Sequence, residues 1–391
     1  MASSAVTVYT TPPETLVDVL RRSHPLVSLP LVRRLRFAAG FAGGITEHSR
    51  ILWCSRIPLE EYYQGHPSLP EEKEGEEEEE GKGKGEEESG GPRVSRSSQY
   101  EQLAFAAAYL DFSRGPETEL WLYSSMEARL SGEVSTTTAQ RDGSSSNDND
   151  INGERERERE RQREEIACAV ALLREVKHQQ DLYFVPGSPR ALEREFPTVL
   201  VGNLNEVLRE RLVAPGVGVD IVSTGLYDKW IFEIGKLPAV KLAGDGPGDG
   251  DVDGDGDGSR WVWDVVRREH IPFTISRTKI PRRERTMKLL PSTALYSDDG
   301  TPVAWAFLGP DSSLSSLHCE EPYRGRGIAK AVAIRVLRDH LGDYNDDAYY
   351  GWADVAPDNV QSQGVCKSLN GEPRWQISWS RLNLDQSFSE E

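Results

Sequence analysis

The chain has 391 residues, 37% of them hydrophobic, which is enough for two modest domains with a sizeable core. Its formal charge of −18 is concentrated in two tracts: residues 71–88 hold eleven acids against three bases, residues 244–258 hold six aspartates and no base, and together they supply −14. The remainder is close to neutral and carries no basic stripe, so a nucleic-acid partner is not expected. The four cysteines, Cys54, Cys168, Cys319 and Cys366, are far apart with no CxxC pair, which argues against a zinc site or a disulfide scaffold and for a reducing compartment. No apolar run of about 18 residues and no secretory leader is evident, so the expectation is a protein of the cytoplasm or nucleus that neither spans nor binds a membrane.

Three low-complexity segments interrupt the chain, at about 70–98, 136–162 and 244–258. Such compositions bury too little apolar area to offset chain entropy, and they read as disordered inserts in the loops of a fold. The RERERER run inside the second could also extend the helix that follows it. Before and between them, 15–22 and 31–37 are expected to be helical. Residues 105–112 and 119–124 are expected as strands around the turn Ser113-Arg114-Gly115-Pro116. Residues 165–178 form an amphipathic helix, 198–201 a short strand and 205–212 a helix. Beyond the third segment, 261–270 reads as helical and 281–287 as a short second helix. Residues 293–297 and 303–308 flank Asp298-Asp299-Gly300, a hairpin signal because Asp-Gly accepts the positive φ of a tight turn. A strand at 313–320, a helix at 327–341 and a strand at 349–355 follow. A helix starts at Pro357-Asp358-Asn359 with Asp358 as its cap, and a last strand alternates Trp375, Ile377 and Trp379.

The chemistry concentrates at the junction Leu317-His318-Cys319-Glu320-Glu321-Pro322-Tyr323-Arg324-Gly325-Arg326-Gly327-Ile328-Ala329: strand, Gly/Arg-rich turn, helix. A helix N-terminus exposes unpaired N–H groups and partial positive charge, glycines let the backbone approach an anion, and the arginines add cationic charge. The turn suits a pyrophosphate. It is neither G-x-G-x-x-G nor a Walker loop, so a dinucleotide fold and an NTPase are both excluded. The aspartates of the third tract match several calcium-loop positions, but Arg260 stands where that loop needs an apolar residue, and no metal is expected.

Arg324-Gly325-Arg326-Gly327-Ile328-Ala329 resembles motif A of the GNAT superfamily of N-acetyltransferases, Arg/Gln-x-x-Gly-x-Gly/Ala. The helix from Asn359 to Gly371 is similar to the GNAT element Asn-x-x-Ala…Tyr-x-x-Leu-Gly-Phe. The resemblance covers roughly 261–384, and the doubled layout resembles the glycine N-acyltransferase-like branch. It implies an α/β GNAT fold, with a mixed, mainly antiparallel sheet flanked by helices and a degenerate GNAT-like N-terminal half. The expected division is 1–240 for that half, 241–258 for the Gly/Asp insert and 259–391 for the acyl-CoA-binding domain.

The activity implied is transfer of an acyl group, in the first instance acetyl, from acyl-CoA to a primary amine by direct attack on the thioester, with a small molecule as acceptor. Acylation of protein lysines or N-termini is the alternative among enzymes, and a non-catalytic acyl-CoA-binding protein the alternative outside them. Arg324, Gly325, Arg326, Gly327, Ile328 and Ala329 would hold the CoA pyrophosphate. Leu317 and Cys319 would line the thioester on the strand edge, and Asn359 and Ser362 the pantetheine arm. His318 and Glu320, two residues apart on one strand face, are both candidates for the base. The Tyr that the family places seven residues after the Asn is Cys366 here. This puts the acid step on Cys366 or on water.

Overall fold

The computed structural model describes residues 5–65, 103–130, 148–240, 261–278, 280–345 and 348–388. The expected inserts at 70–98 and 241–258, and the first part of that at 136–162, lie outside the described residues. In chain order the strands are β1 (Ala5–Tyr9), β2 (Arg50–Ser55), β3 (Phe105–Leu110), β4 (Leu120–Ser124), β5 (Val199–Asn205), β6 (Ile221–Glu233), β7 (Trp261–Asp264), β8 (Ser292–Ser297), β9 (Pro302–Leu308), β10 (Leu314–Cys319), β11 (Tyr350–Val355) and β12 (Glu372–Leu382). The α-helices are α1 (Glu14–Ser23), α2 (Leu29–Gly40), α3 (Leu59–Gly65), α4 (Met126–Leu130), α5 (Asp148–Tyr183), α6 (Pro189–Leu192), α7 (Glu206–Leu212), α8 (Ile271–Ser276), α9 (Glu284–Met287), α10 (Ile328–His340) and α11 (Val360–Ser368).

The strands form two sheets, one in the order β1-β2-β3-β4-β5-β12-β6-β11 and one in the order β10-β9-β8-β7. Every pairing is antiparallel except β4–β5, which run parallel and meet at Leu120↔Val201 and Trp121↔Gly202. The centre of the large sheet is an exchange. The last strand, β12, lies between β5 and β6, and β6 lies between β12 and β11. Strands β1–β5 thus build one unit, completed by β12, and β7–β11 a second, completed by β6. The core follows this division. One cluster packs α10 and α11 against β8–β11, a second packs α5 against β2–β5, and a third packs α1–α3 on the opposite face of β2–β4.

Local sequence explains most elements. In α5, Ala169, Leu172, Leu173 and Val176 are at most 1% exposed and form the apolar stripe that holds the helix to the sheet. Each such leucine contributes about 1.5–3 kcal/mol by leaving water.

Four expectations need correction. Residues 148–162 belong to α5 and not to a disordered insert, as the helix-extending reading of the RERERER run has it. Glu and Arg are good helix formers, and one-turn contacts such as Gln162 Nε2 to Glu158 Oε1 (3.0 Å) and Arg161 Nε to Glu165 Oε1 (3.6 Å) carry the helix N-terminally. Residues 261–270 are not a helix: Trp261–Asp264 is a strand paired with β8, and Arg268–His270 is a 3-10 turn. The cap of α11 is Asn359 and not Asp358, its side chain accepting from Ser362 N at 3.0 Å. Strands β1, β2 and β6 were not anticipated.

Candidate active site

Strands β10 and β11 follow the order of parallel neighbours, yet no backbone pairing joins them among the described residues. β10 bonds only to β9, and β11 only to β6. The sheet is parted here. On β10 the register shifts between Ser315 and His318, and Ser316 takes a positive φ of 51°. A bulge of this kind bends a strand and re-aims the residues beyond it. Past the bulge, Glu320 N–H donates to Val303 O of β9 at 2.9 Å. Because backbone groups alternate along a strand, Leu317 and Cys319 turn their N–H and C=O groups to the other, parted edge. At the entry of the second unit Arg33 of α2, fully buried, ties the two parted strands together: Nη1 donates to Ser312 Oγ (3.0 Å) and Nη2 to Tyr350 O (3.2 Å).

The turn after β10 opens directly into α10. Gly325 and Gly327 have φ of 78° and 79°, a left-handed conformation that an L side chain adopts only under strain, and a Cβ at either would meet nothing within 4 Å. Gly327 is the N-cap of α10 and provides no side-chain cap. The first N–H groups of the helix, at Ile328, Ala329 and Lys330, therefore face open space with no partner inside the helix. Arg324 to Gly327 are exposed, and Arg324 folds the turn back onto the strand by donating Nε to Cys319 O at 3.0 Å. This is the electrostatics of an anion site at a helix N-terminus. A polyphosphate fits here on geometry and charge alike.

His318 and Glu320 come together on the face of β10 turned towards α8. The imidazole stacks on Trp305, centroids 4.7 Å apart at 21°, and Trp305 in turn meets Phe273 of α8 edge-on. His318 Nε2 stands 3.4 Å from Glu320 Oε1, while Glu320 accepts a 2.8 Å bond from Arg277 Nε. Burial holds the His318 pKa below its usual 6.5, and Arg324 and Arg277 act in the same direction against the pull of Glu320. The shift favours the neutral imidazole, which has a lone pair to accept a proton.

The remaining residues sit apart. Cys366 is 2% exposed, within the apolar core between α11 and the sheet, and burial pushes its thiol up to about 12. Cys319 is also buried, its thiol pushed up to about 11. Asn359 is exposed at the start of α11, its Oδ1 engaged by the Ser362 N–H. Sequence reasoning missed Arg33, Arg277 and Trp305. Their partners lie 13 to 317 residues away, and the one local signal was an Arg33-Arg34 pair embedded in the apolar helix LPLVRRLRF.

The family model described as the acyl-CoA N-acyltransferase verG N-terminal domain matches residues 3–230. The chain belongs to this acyl-CoA N-acyltransferase family, within the GNAT superfamily, and its fold is the GNAT fold. No curated protein matches the chain. Among solved structures, an X-ray structure of a Drosophila protein is 11% identical over 98% of this chain and 99% of its own, with a TM-score of 0.52. A tandem GNAT protein from the clavulanic acid biosynthesis pathway is 11% identical over 97% of this chain and 98% of its own, with a TM-score of 0.41. A GCN5-related N-acetyltransferase from Sphaerobacter thermophilus is 13% identical over 72% of this chain and 80% of its own, with a TM-score of 0.35. The family match covers the unit of β1–β5, whereas the glycine-arginine turn lies in the other unit. No helix among the described residues is long and apolar enough to cross a membrane.

Proposed function

We propose that the second unit transfers an acetyl group from acetyl-CoA to the primary amine of a small molecule by direct attack on the thioester. One observation carries this reading: the parted edge of β10 ends at the uncapped N-terminus of α10, so a slot between strands and an anion site adjoin. In this reading the N–H groups of Gly327, Ile328 and Ala329 bind the pyrophosphate, with Arg324, Gly325 and Arg326 forming the charged turn around it. The outward N–H groups of Leu317 and Cys319 hold the thioester and polarise its carbonyl. Asn359 and Ser362 border the pantetheine arm. Holding donor and acceptor in one slot supplies much of the acceleration.

His318 is the base. Burial favours its neutral form, whereas Glu320 is engaged by Arg277. Trp305 orients the imidazole by stacking, and Glu320, 3.4 Å from Nε2, balances the charge it gains. Cys366 keeps its proton, because a buried thiol near 12 is a poor acid, so the departing thiolate takes a proton from solvent. The acceptor side is covered by the first unit. Arg285 Nη2 donates to Arg114 O (3.0 Å) and Gly115 O (2.9 Å), and Glu117 accepts from Arg283 N (3.1 Å). This cover favours a small acceptor over a polypeptide chain.

The test is release of free thiol from acetyl-CoA against a panel of amines, amino acids and peptides, alongside calorimetric binding of acetyl-CoA. Turnover with small amines is expected. Tight binding with no thiol release on any amine would make the protein a binder and not an enzyme, and turnover confined to peptides would move the acceptor to protein.

A further inference from the structure

A small cavity of about 50 Å³ lies where the two units meet, and Arg34, Trp121, Arg282, Glu117 and Asp311 all line it. Several of its donor atoms lack acceptors among the described residues. Arg34 of α2 is 2% exposed, and its Nε and Nη1 have no hydrogen-bond partner among the described residues. Neither does Nε1 of Trp121, 5% exposed, nor Nε of Arg282. The acids of the lining act on Arg282 through their charge, but their hydrogen bonds go to other donors. Asp311 Oδ1 accepts from Ser313 N (3.1 Å) and Ser313 Oγ (2.7 Å), and Glu117 from Arg283 N (3.1 Å) and Thr286 Oγ1 (2.5 Å). Leaving a buried N–H unbonded is costly, and three guanidinium donors and one indole donor around one small space are not a neutral arrangement. Arg34 is held in place by ring faces, its guanidinium carbon 3.6 Å from the Tyr109 centroid and 5.0 Å from that of Trp121.

We infer that this cavity binds a carboxylate, and that the carboxylate belongs to the acceptor amine. A planar, two-oxygen anion matches guanidinium forks that present several donors, and it fills a space too small for a larger group. The link to the acceptor is strand β10. Arg282 Nη2 donates to Ser315 Oγ at 2.8 Å, three residues before His318, and Ser313 lines the cavity itself. Ser315 and His318 are three residues apart on a strand shortened by its bulge, less than about 10 Å, so amine and carboxylate of the acceptor stand within that distance. The acceptor class is a longer amino acid or a dipeptide-sized acid. This inference rests on the acyl-transfer reading above and deepens it.

The experiment compares 5-aminopentanoate with pentylamine as acceptors. In parallel, calorimetry without any acyl-CoA titrates 5-acetamidopentanoate against its uncharged amide. Expected are a preference of tenfold or more for the acid in both measurements, and its loss in Arg34→Met and in Arg282→Met with acetyl-CoA affinity unchanged. Arg282→Met serves if Arg34→Met does not fold. Equal binding of acid and amide by the native protein, or unchanged acid preference in both variants, would overturn the inference. Acid-selective binding in calorimetry without any acid preference among the acceptors in turnover would overturn the assignment to the acceptor. Acid-selective binding that both variants lose, in a protein with no transferase activity, would uphold the carboxylate site while the acyl-transfer reading fell.

Discussion

The two units treat the same topological place in opposite ways. In the first unit, β4 and β5 stay bonded, by their two-residue parallel ladder and by Glu119 N–H to Leu200 O at 3.0 Å. The chain leaving β4 turns at once into α4, burying Met126, Glu127 and Ala128, and Glu127 Oε1 accepts from Ser124 N at 3.0 Å. In the second unit, β10 and β11 part, and the chain leaving β10 passes through an exposed turn with two left-handed glycines. One unit fills its gap with its own side chains, and the other leaves backbone donors facing an open slot. The lesson is that a shared fold does not make a shared site. The segment leaving the fourth strand of each unit decides whether there is a site at all.

The largest effect expected breaks the open side of this contrast. Arg324→Ala combined with Gly327→Glu removes a charge, strains the left-handed cap and sets a carboxylate among the phosphate donors. Acetyl-CoA affinity should fall by about 100-fold or more, on the order of 3 kcal/mol, in a protein whose melting temperature barely moves. Unchanged affinity by calorimetry would remove the basis for placing CoA there.

Next is His318→Gln, which should lower kcat about 100-fold or more while acetyl-CoA binding persists. Because burial holds His318 below 6.5, the native acid limb of kcat/KM should lie below that pH, activity falling as the imidazole gains its proton. A native limb that survives unchanged in the variant would assign the base elsewhere.

The filled side offers a smaller effect. Burial raises the Glu127 carboxyl from 4.5 to about 8, offset in part by the Ser124 N–H and by Lys229. Between those values the folded protein holds a proton that the unfolded chain has released, so stability should decline as pH rises through this window. Glu127→Gln keeps an acceptor for Ser124 and abolishes the penalty. It should be more stable than the native protein at pH 8 by on the order of 4 kcal/mol and nearly equal at pH 4.5. Parallel denaturation curves at the two pH values would show whether the gap closes.

The smallest effect is expected from residues 244–258. Their deletion should shift the melting temperature by no more than about 1 °C, because the units are joined by exchanged strands and not by this tract. A drop of many degrees in a scanning-calorimetry trace would show that the tract is structural.

How much of this was legible depends on the distance over which each feature is specified. The hairpin around Asp298-Asp299-Gly300, helix α10 and strand β11 have their period and turn chemistry within a dozen residues, and all three appear in the structure close to their expected places. The glycine-arginine turn was legible for the same reason. Strand β7 shows a failure of weighting: Trp261 is 7% exposed and Val262 43%, the alternation of a strand, but the charged run after it suggested a helix. Strand β6 was illegible because its first residues are largely exposed and its partners are far away, Ile231 opposite Glu372 and Leu226 opposite Ser378. For the same reason the donors of the inter-unit cavity could not be assembled from spacing. Arg34 and Arg282 are specified by a meeting of surfaces and not by any local pattern.

The exchange of β6 and β12 bears on how the chain can be made. The slot for β12 lies between β5 and β6, both synthesised well before it, so the first unit cannot finish its sheet until residues 372–382 have emerged. Until then β5 presents an unsatisfied edge of the kind that invites pairing with other chains. A ribosome stalled or truncated shortly before residue 372 would therefore release a first unit with an adhesive margin and not a self-sufficient domain. The final strand closes the assembly, much as a keystone completes an arch.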